Sequence, residues 1–412
     1  MSNRRENLIV GLDIGTTKIC AIVGNLNDDG GIDIVGIGTS VSQGMRKGVV
    51  INIEGTVGAI KKALQEAELM AGCEIKSVFA GIAGGHIKGM NSQGVIAIKN
   101  REVNNDDIRR VIDAAKAVAI PMDREILHIL PQEFTVDDQQ GIKDPTGMAG
   151  IRLEVDVHIV TGAVSSAQNL VKAIQKAGYQ VRDLVLEPLA SSFGVLTDDE
   201  RELGVALVDI GGGTTDIALF HEGAIRHTAV IGLGGNSVTN DIAIGLRCPA
   251  RDAERIKERY GAAMTRIVDE DEEIVVPRVA GQGEKHVSRR MLASIIQPRM
   301  EEILQLVVTD IRKTRWYDKI PSGIVLTGGA SALSGTAELA EALFDLPVRI
   351  GYPIGVTGLV DSVDDPRFAT VVGLVIHARD RGREEVRFAG GDDDTLWHRI
   401  RDRMKEWLHD FF

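Results

Sequence analysis

The chain has 412 residues, which suggests two or three folding units, and 44% of its residues are hydrophobic, enough to bury a large core. Its formal net charge is −12. Duplex binding depends on clustered Lys and Arg, so this charge argues against a general nucleic-acid-binding protein, and we expect no nucleic-acid partner.

Cysteine usage and the N-terminus predict a cytoplasmic protein. Cys20, Cys73 and Cys248 lie far apart and form no CxxC or Cys/His cluster, so we expect reduced thiols and neither a disulfide framework nor a zinc site. The first seven residues are polar and lack the apolar region of a signal peptide. No run of about 18 apolar residues occurs, so we expect any membrane contact at the cytoplasmic surface.

A hairpin with a functional tip is the first predicted element. Residues 8–12 form an apolar run, 13–18 read Asp-Ile-Gly-Thr-Thr-Lys, and 19–24 form a second apolar run. The pattern returns when residues 204–208 lead into Asp-Ile-Gly-Gly-Gly-Thr-Thr-Asp at 209–216, followed by an apolar run at 217–220. A repeat at this distance indicates a duplicated domain, and we expect two similar halves that face each other.

Each half carries additional material. Residues 94–99, 126–136 and 151–160 are predicted strands, and 104–119 is a predicted helix capped by Asn105, so we expect a small β-rich subdomain over residues 84–161. Residues 233–303 are more polar, with a predicted helix at 251–260 and an acidic run at 269–273, which we interpret as a solvated loop rather than a metal site. The first half then comprises 1–83 and 162–195, and the second comprises 196–232 and 304–378.

The two Asp-x-Gly turns suit a nucleoside triphosphate with Mg²⁺. Small residues at a hairpin tip let backbone N–H groups approach phosphate oxygens, Thr hydroxyls add donors, and an Asp at each strand end can hold Mg²⁺ through its waters. A single turn could be only a tight hairpin, but two matched copies argue against that reading. The predicted phosphate and metal contacts are Asp13, Gly15, Thr16, Thr17, Lys18, Asp209, Gly211, Gly212, Gly213, Thr214 and Thr215.

A third glycine turn completes the predicted site. Residues 323–326 read as a buried strand, and a helix is predicted to begin near Leu333. Between them, Gly328, Gly329 and Ala330 would let adenine and ribose lie against the backbone.

Together these features resemble the actin, Hsp70 and sugar-kinase superfamily. The resemblance implies an α/β, actin-like (ribonuclease H-like) duplicated two-domain fold, with interdomain connectors at 186–192 and 365–373. It also implies that Glu187 positions the water of a slow ATP hydrolysis. Glu254 and Lys257 resemble adenosine contacts, although an exposed i,i+3 pair is the alternative.

Within that superfamily the chain resembles the FtsA family of bacterial cell-division proteins over essentially its whole length. The resemblance rests on residues 12–18, 44–53 (Gly-Met-Arg-Lys-Gly-Val-Val-Ile-Asn-Ile), 208–216 and 326–331, and on the position of the insertion. It implies that 84–161 contacts other division proteins and that 233–303 receives the FtsZ C-terminal tail. The basic residues in this segment that we expect to contact an acidic peptide are Lys285, Arg289, Arg290 and Arg299. The alternative is that they form a solvated basic face.

The C-terminal residues predict a flexible linker (379–394) and an amphipathic helix (395–412). Trp favours the bilayer interface, so we expect the helix to lie flat on a membrane, although docking on the protein's own body or on a partner is the alternative. The helix is nearly neutral, so apolar burial and filament avidity must supply most of the binding. The apolar face consists of Leu396, Trp397, Ile400, Met404, Trp407, Leu408, Phe411 and Phe412.

The resulting functional hypothesis is an adaptor. We expect a protein that binds ATP and Mg²⁺, self-associates into filaments, and tethers FtsZ to the cytoplasmic membrane at the division septum, with slow ATP turnover at most. The alternatives are an Hsp70- or sugar-kinase-type ATPase, whose substrate-binding parts cannot be located, and a pilus-assembly actin homologue.

Overall fold

The computed structural model describes residues 7–278 and 283–389. The strands are β1 Leu8–Ile14, β2 Lys18–Leu26, β3 Ile32–Val41, β4 Met45–Arg46, β5 Val49–Val50, β6 Ser77–Ile82, β7 Lys88–Ala97, β8 Arg124–Val136, β9 Gln139–Ile142, β10 Arg152–Ala163, β11 Gln180–Leu186, β12 Val205–Ile210, β13 Thr215–His221, β14 Ala224–Ile231, β15 Glu273–Pro277, β16 Glu284–Ser288, β17 Ile324–Thr327, β18 Val348–Ile350 and β19 Thr357–Gly358. The α-helices are α1 Ile53–Ala71, α2 Asn105–Ala115, α3 Val164–Lys176, α4 Glu187–Val195, α5 Asp198–Leu203, α6 Gly235–Gly245, α7 Ala250–Tyr260, α8 Arg289–Arg312, α9 Thr336–Phe344 and α10 Ala369–Ala389.

Two sheets with matching strand order form the frame of the molecule. One sheet has the order β11-β6-β1-β2-β3-β19, and the other has β14-β13-β12-β17-β18. Five strands of each sheet correspond one to one, with an antiparallel hairpin at the centre of each, β1–β2 and β12–β13. The duplication predicted from the repeated hairpin is therefore present in the fold.

The apolar runs form strands because nearly every side chain in them is buried. β12 is buried along its whole length, and β1 is buried from Val10 to Ile14. Strands covered on both faces read as continuous apolar runs rather than as alternating patterns. Helix α1 packs against the β3 face and ends at Gly72, whose φ of 63° closes the helix in the left-handed conformation.

The insertion forms its own sheet, of order β7-β10-β8-β9, with α2 packed against it. The helix cap is Asn104, not Asn105 as predicted, because the Asn104 side chain accepts hydrogen bonds from the backbone N–H groups of Asp106 and Asp107. The helix ends at Ala115 rather than at residue 119, and β7 begins at Lys88, six positions before the predicted start at residue 94.

The inserted subdomain also contacts the second half of the molecule, at strand β14. The Gln132 side chain donates to the Ile225 carbonyl at 2.7 Å, and Asn91 donates to the Arg226 carbonyl at 3.3 Å. The ring of His158 bridges Asn91 at 2.6 Å and Thr228 at 2.8 Å. These hydrogen bonds attach the insertion to the second half, although it interrupts the first half in sequence.

Two helices join the halves and cross each other closely. These are α4, from the predicted first connector, and α10, which follows the short 3-10 turn Pro366–Phe368 of the second connector. At the crossing, a Cβ on Gly373 would lie 1.7 Å from the Ala190 carbonyl oxygen, so only glycine fits there. Further 3-10 turns lie at Thr265–Ile267, Tyr317–Lys319, Gly329–Ala332 and Val360–Ser362.

The start of the predicted linker is helical instead. Helix α10 continues to Ala389 across residues predicted as flexible from 379 onward. Arg and Glu are good helix formers, so a charged stretch that continues an existing helix need not end it. The rest of the predicted linker and the amphipathic helix 395–412 lie outside the described residues. Among the described helices, none is long and apolar enough to cross a bilayer.

Candidate nucleotide site

The two Asp-x-Gly turns have the same backbone geometry. The Gly15 N–H donates to the Lys18 carbonyl at 3.1 Å, and the Gly211 N–H donates to the Thr214 carbonyl at 3.0 Å. Each turn therefore closes the tip of a central hairpin and leaves its Asp at the end of the preceding strand. The copies differ across the hairpin, because Asp13 pairs with Cys20 whereas Asp209 pairs with Asp216.

The turns face each other at contact distance. A Cβ on Gly212 would lie 2.0 Å from Thr17 Oγ1, and one on Gly213 would lie 2.5 Å from Thr16 Oγ1. The Thr17 hydroxyl also donates to the Asn236 side-chain oxygen at 3.2 Å, next to the start of α6. The predicted residues Thr16, Thr17, Gly212 and Gly213 thus meet in one place, and glycine is required because a side chain would collide.

Four carboxyl groups lie behind the turns; those of Asp13, Asp209 and Asp216 are buried, and that of Glu187 is half-buried. Burial, with the charge of Asp209 adding to it and that of Lys18 opposing it, raises the pKa of Asp13 to about 7. Burial and the Asp209 charge likewise raise the pKa of Asp216 to about 7, and burial raises the pKa of Asp209. Burial and the charges of the three Asp residues raise the pKa of Glu187 well above its usual range.

This carboxyl cluster fits a divalent cation. Asp216 Oδ1 is buried and has no hydrogen-bond partner. A buried acceptor without a partner costs free energy unless a cation or an ordered water binds it. Among the described residues, no three His, Cys, Asp or Glu side chains are placed to ligate a metal directly. Coordination of Mg²⁺ by Asp13 and Asp209 through its waters stays a prediction from the sequence.

Asp216 lies in the same carboxyl cluster, although it is not among the contacts predicted from the sequence. Comparison of the two hairpin sequences does not indicate Asp216, because the equivalent position in the first hairpin is Cys20. Its hydroxyl neighbour Thr214 donates to Asp216 Oδ2 at 2.9 Å, which leaves Oδ1 as the open acceptor.

Both connectors reach Asp209. Ser191, on α4, donates its hydroxyl proton to Asp209 Oδ2 at 2.7 Å, and Thr370, on α10, donates at 3.3 Å. Gly328, in the third glycine turn, has a φ of 83°, and a Cβ there would lie 2.3 Å from Asp209 Oδ1. The carboxylate of Asp209 is therefore in contact with both connectors and with the third turn.

Lys18 is directed toward the second connector. Its Nζ donates to the Arg367 carbonyl at 3.1 Å and lies 3.8 Å from the centroid of the Phe368 ring. Burial lowers its pKa, which the nearby Asp13 charge opposes. Lys18 thus belongs to the first turn and also contacts Arg367 and Phe368 of the second connector.

Glu254 and Lys257 form a largely buried pair rather than an exposed one. Lys257 is only 6% exposed, and its Nζ contacts Glu254 at 2.8 Å, the Thr239 hydroxyl at 2.9 Å and the Gly235 carbonyl at 3.2 Å. A Cβ on Gly235 would lie 3.2 Å from Ala330 Cβ. Helices α6 and α7 therefore bring this pair next to the third glycine turn.

The third turn forms a 3-10 turn, Gly329–Ala332, directly after strand β17. The predicted helix near Leu333 begins three residues later, at Thr336. Gly328 donates its N–H to the Pro366 carbonyl at 3.3 Å, so the turn is fixed to the second connector.

The basic residues of the second-half subdomain are largely neutralised by acidic neighbours. Arg289 pairs with Glu272 at 2.7 Å, Arg290 pairs with Glu270, and Arg299 pairs with Asp241 at 2.6 Å and also with Glu302. The acidic run is an exposed loop as predicted, but two of its glutamates hold arginines of the predicted peptide site. Lys285 lies on β16 and has no ion pair within the described ranges.

The fold matches that of solved actin-like proteins. The PilM–PilN type IV pilus biogenesis complex has a TM-score of 0.67 at 16% identity, covering 90% of this chain and 98% of that chain. MreB5 of Spiroplasma citri bound to ADP has a TM-score of 0.57 at 15% identity, covering 92% and 98%. The chain is thus an actin-like α/β protein, which confirms the predicted fold class for the described residues.

Closer relatives define the family. A family model described as "Cell division protein FtsA" matches residues 206–373, and one described as "SHS2 domain inserted in FTSA" matches residues 84–161. The chain is 49% identical to the cell division protein FtsA of Pseudomonas aeruginosa, covering 98% of both chains, and 42% identical to that of Escherichia coli, covering 99% of both. The chain belongs to the FtsA family of cell division proteins, as the sequence motifs indicated, and the pilus, kinase and chaperone alternatives are set aside.

Proposed function

We propose that this cell-division protein binds ATP with Mg²⁺ between its two Asp-x-Gly turns. The observation that carries this proposal is the open oxygen of Asp216 inside a cluster of buried carboxyl groups directly behind those turns. Mg²⁺ would neutralise phosphate charge there, while Asp13 and Asp209 hold its waters and the turn N–H groups bind phosphate oxygens.

Isothermal titration with ATP and ADP, each with and without Mg²⁺, tests nucleotide binding. Asp13→Asn removes a carboxylate from the cluster, and Asp28→Asn, at an exposed position after β2, is the matched control. We expect at least a tenfold weaker Kd for MgATP in the first variant and no change in the second. A wild-type chain that binds neither nucleotide would overturn this proposal.

We further propose that the chain assembles into actin-like filaments and ties FtsZ polymers to the cytoplasmic face of the membrane at the septum. Membership of the FtsA family over nearly its full length supports this role. Residues 233–303 would bind the acidic FtsZ tail, and residues 84–161 would contact other division proteins.

The basic surface supports the peptide hypothesis only in part, because its arginines already have acidic partners. Lys285 is the predicted contact without an ion pair among the described residues, so we expect it to meet the peptide first. Binding of an FtsZ-tail peptide should weaken in Lys285→Ala and remain unchanged in Lys76→Ala, on the first half. Equal affinities in both variants would remove Lys285 from the site.

Membrane attachment is proposed to reside in residues 395–412. Liposome co-sedimentation of the full chain against a chain that ends at Asp394, with and without ATP, tests this assignment. We expect the truncated chain to remain in the supernatant, and we expect Trp397→Ser and Trp407→Ser to weaken pelleting more than substitutions on the charged face. Equal pelleting of the full and truncated chains would contradict the assignment.

A slow ATPase activity is proposed to depend on Glu187, which is half-buried at the start of α4. A Cβ on Gly81 would lie 3.0 Å from Glu187 Cγ, so β6 holds this side chain closely. Phosphate release by Glu187→Gln should fall below that of the wild type while MgATP binding persists. Equal release rates would exclude this role.

A further inference from the structure

A short hairpin places Lys47 beside the two Asp-x-Gly turns. Strands β4 and β5 are joined by Lys47 and Gly48, whose φ angles are 49° and 74°. Both central residues therefore have the positive φ of the tight turns that join two-residue hairpins, and such a φ is uncommon for lysine. This hairpin comes from the 44–53 motif, to which none of the roles above assigns a function.

The hairpin tip is held in place by its neighbours. The Gly48 N–H donates to the hydroxyl oxygen of Thr16, in the first phosphate turn, at 3.1 Å. On its other side Gly48 packs against Gly84, since a Cβ at position 48 would lie 2.8 Å from the Gly84 nitrogen. The backbone at Lys47 is thus fixed between the first turn and the start of the inserted subdomain.

Lys47 reaches across to the second half of the molecule. Its Cα lies 3.0 Å from the position of a Cβ on Gly213, in the second phosphate turn. Its Nζ lies 3.8 Å from the position of a Cβ on Gly232, directly after β14. Lys47 is exposed, and no acidic side chain in the described ranges forms an ion pair with it. The backbone of Lys47 therefore lies beside the second turn and its unpaired ammonium group lies beside Gly232 of the second half, while Lys18 is tied to the second connector.

We propose that the Lys47 ammonium binds the terminal phosphate of a nucleoside triphosphate and so distinguishes it from a diphosphate. This inference rests on the proposed nucleotide binding. A lysine acts on phosphate as a mobile point charge, and the terminal phosphate carries the charge that a diphosphate lacks at that position. Because Lys47 belongs to the first half and Gly213 and Gly232 to the second, the contact would also draw the halves together around the triphosphate.

Titration of the full chain with MgATP and MgADP tests the proposal. Lys47→Met keeps the length of the side chain and removes its charge, and Arg46→Met, one residue away on the same exposed hairpin, is the matched control. We expect Lys47→Met to weaken MgATP binding at least tenfold while its MgADP affinity stays within twofold of wild type. Lys47→Arg should retain most of the MgATP affinity, and Arg46→Met should match wild type for both nucleotides.

The outcomes separate this inference from the proposal on which it rests. An unchanged MgATP affinity in Lys47→Met, or equal losses for MgATP and MgADP, would overturn the role of Lys47 while nucleotide binding stands. A wild-type chain that binds neither nucleotide would overturn both. Thermal unfolding of each variant shows whether it is folded, and a folded Lys47→Gln serves in place of Lys47→Met if that variant does not fold.

Discussion

The close crossing of α4 and α10 gives a strong stability prediction. Gly373→Ala places a methyl group 1.7 Å from the Ala190 carbonyl oxygen and 2.5 Å from the Ala190 carbonyl carbon. Since a relaxed carbon–oxygen contact is about 3.3 Å or longer, the helices would have to separate by roughly 1.5 Å. Both neighbours are backbone atoms within helices, so no side-chain rotation relieves the collision.

The size of the effect follows from a competition of two terms. Overpacking of a buried contact costs about 1–3 kcal/mol and occasionally more, whereas replacing a helical Gly by Ala returns about 1 kcal/mol. Gly58 lies at an exposed position in α1, where a Cβ would meet no atom within 4 Å. Gly58→Ala therefore has only the gain from replacing a helical Gly by Ala. We therefore expect Gly58→Ala to stabilise the chain and Gly373→Ala to destabilise it, with a difference of about 3 kcal/mol between them.

Urea unfolding of both variants measures this difference directly. Separation of the helices should also move Ser191 and Thr370 away from Asp209, so MgATP binding should weaken in Gly373→Ala and remain at the wild-type level in Gly58→Ala. A Gly373→Ala chain as stable as Gly58→Ala would refute the inference that backbone contact at this crossing excludes a side chain.

Three further predictions concern charge. Burial lowers the pKa of His158 to about 4 from 6.5, so below pH 6.5 the unfolded chain binds a proton that the folded chain does not, and stability falls as the pH drops toward 4. Between pH 7 and 5 this proton uptake lowers the free energy of unfolding by about 2 kcal/mol. The loss should be absent in His158→Gln. Equal pH dependence of urea unfolding in the variant and the wild type would contradict this prediction. Asp216→Asn should remove most of the Mg²⁺ dependence of ATP binding, and a full Mg²⁺ response would exclude Asp216 from the metal site. Joint replacement of Glu270 and Glu272 by Gln should release their arginine partners and tighten binding of the FtsZ-tail peptide severalfold at low salt. The control Asp271→Asn should leave the affinity unchanged. An unchanged affinity in the double variant would exclude competition between the acidic run and the peptide.

The parts of the fold that the sequence predicts are those written in local patterns. The repeated Asp-x-Gly turns predicted the duplicated halves, because each hairpin tip and its two strands are adjacent in the chain and carry the same motif. Helix limits were less accurate, since the cap at Asn104 depends on which of two neighbouring asparagines turns its side chain back to the helix.

The parts that could not be predicted depend on contacts between distant residues. Burial of Lys257 depends on the packing of α7 beside α6, which brings an apparently exposed pair next to the third glycine turn. The pairing of Arg290 with Glu270 joins a helix to a loop that precedes it, so composition alone shows a basic face and an acidic run as separate features. The role proposed for Asp216 rests on an oxygen without a hydrogen-bond partner, which the sequence cannot show.

The attachment of the inserted subdomain to β14 has a consequence for how its role can be studied. β14 is the outermost strand of its sheet, and Gln132 and Asn91 supply hydrogen bonds to its carbonyl groups. An outermost strand stripped of its cover is a template for pairing with other chains. Excision of residues 84–161 would therefore create a sticky surface as well as remove a domain, and aggregation of such a deletion in the cell would be a defect in solubility rather than a lost partner. Point substitutions on the outer face of that subdomain, away from β14, are the safer way to find what it binds.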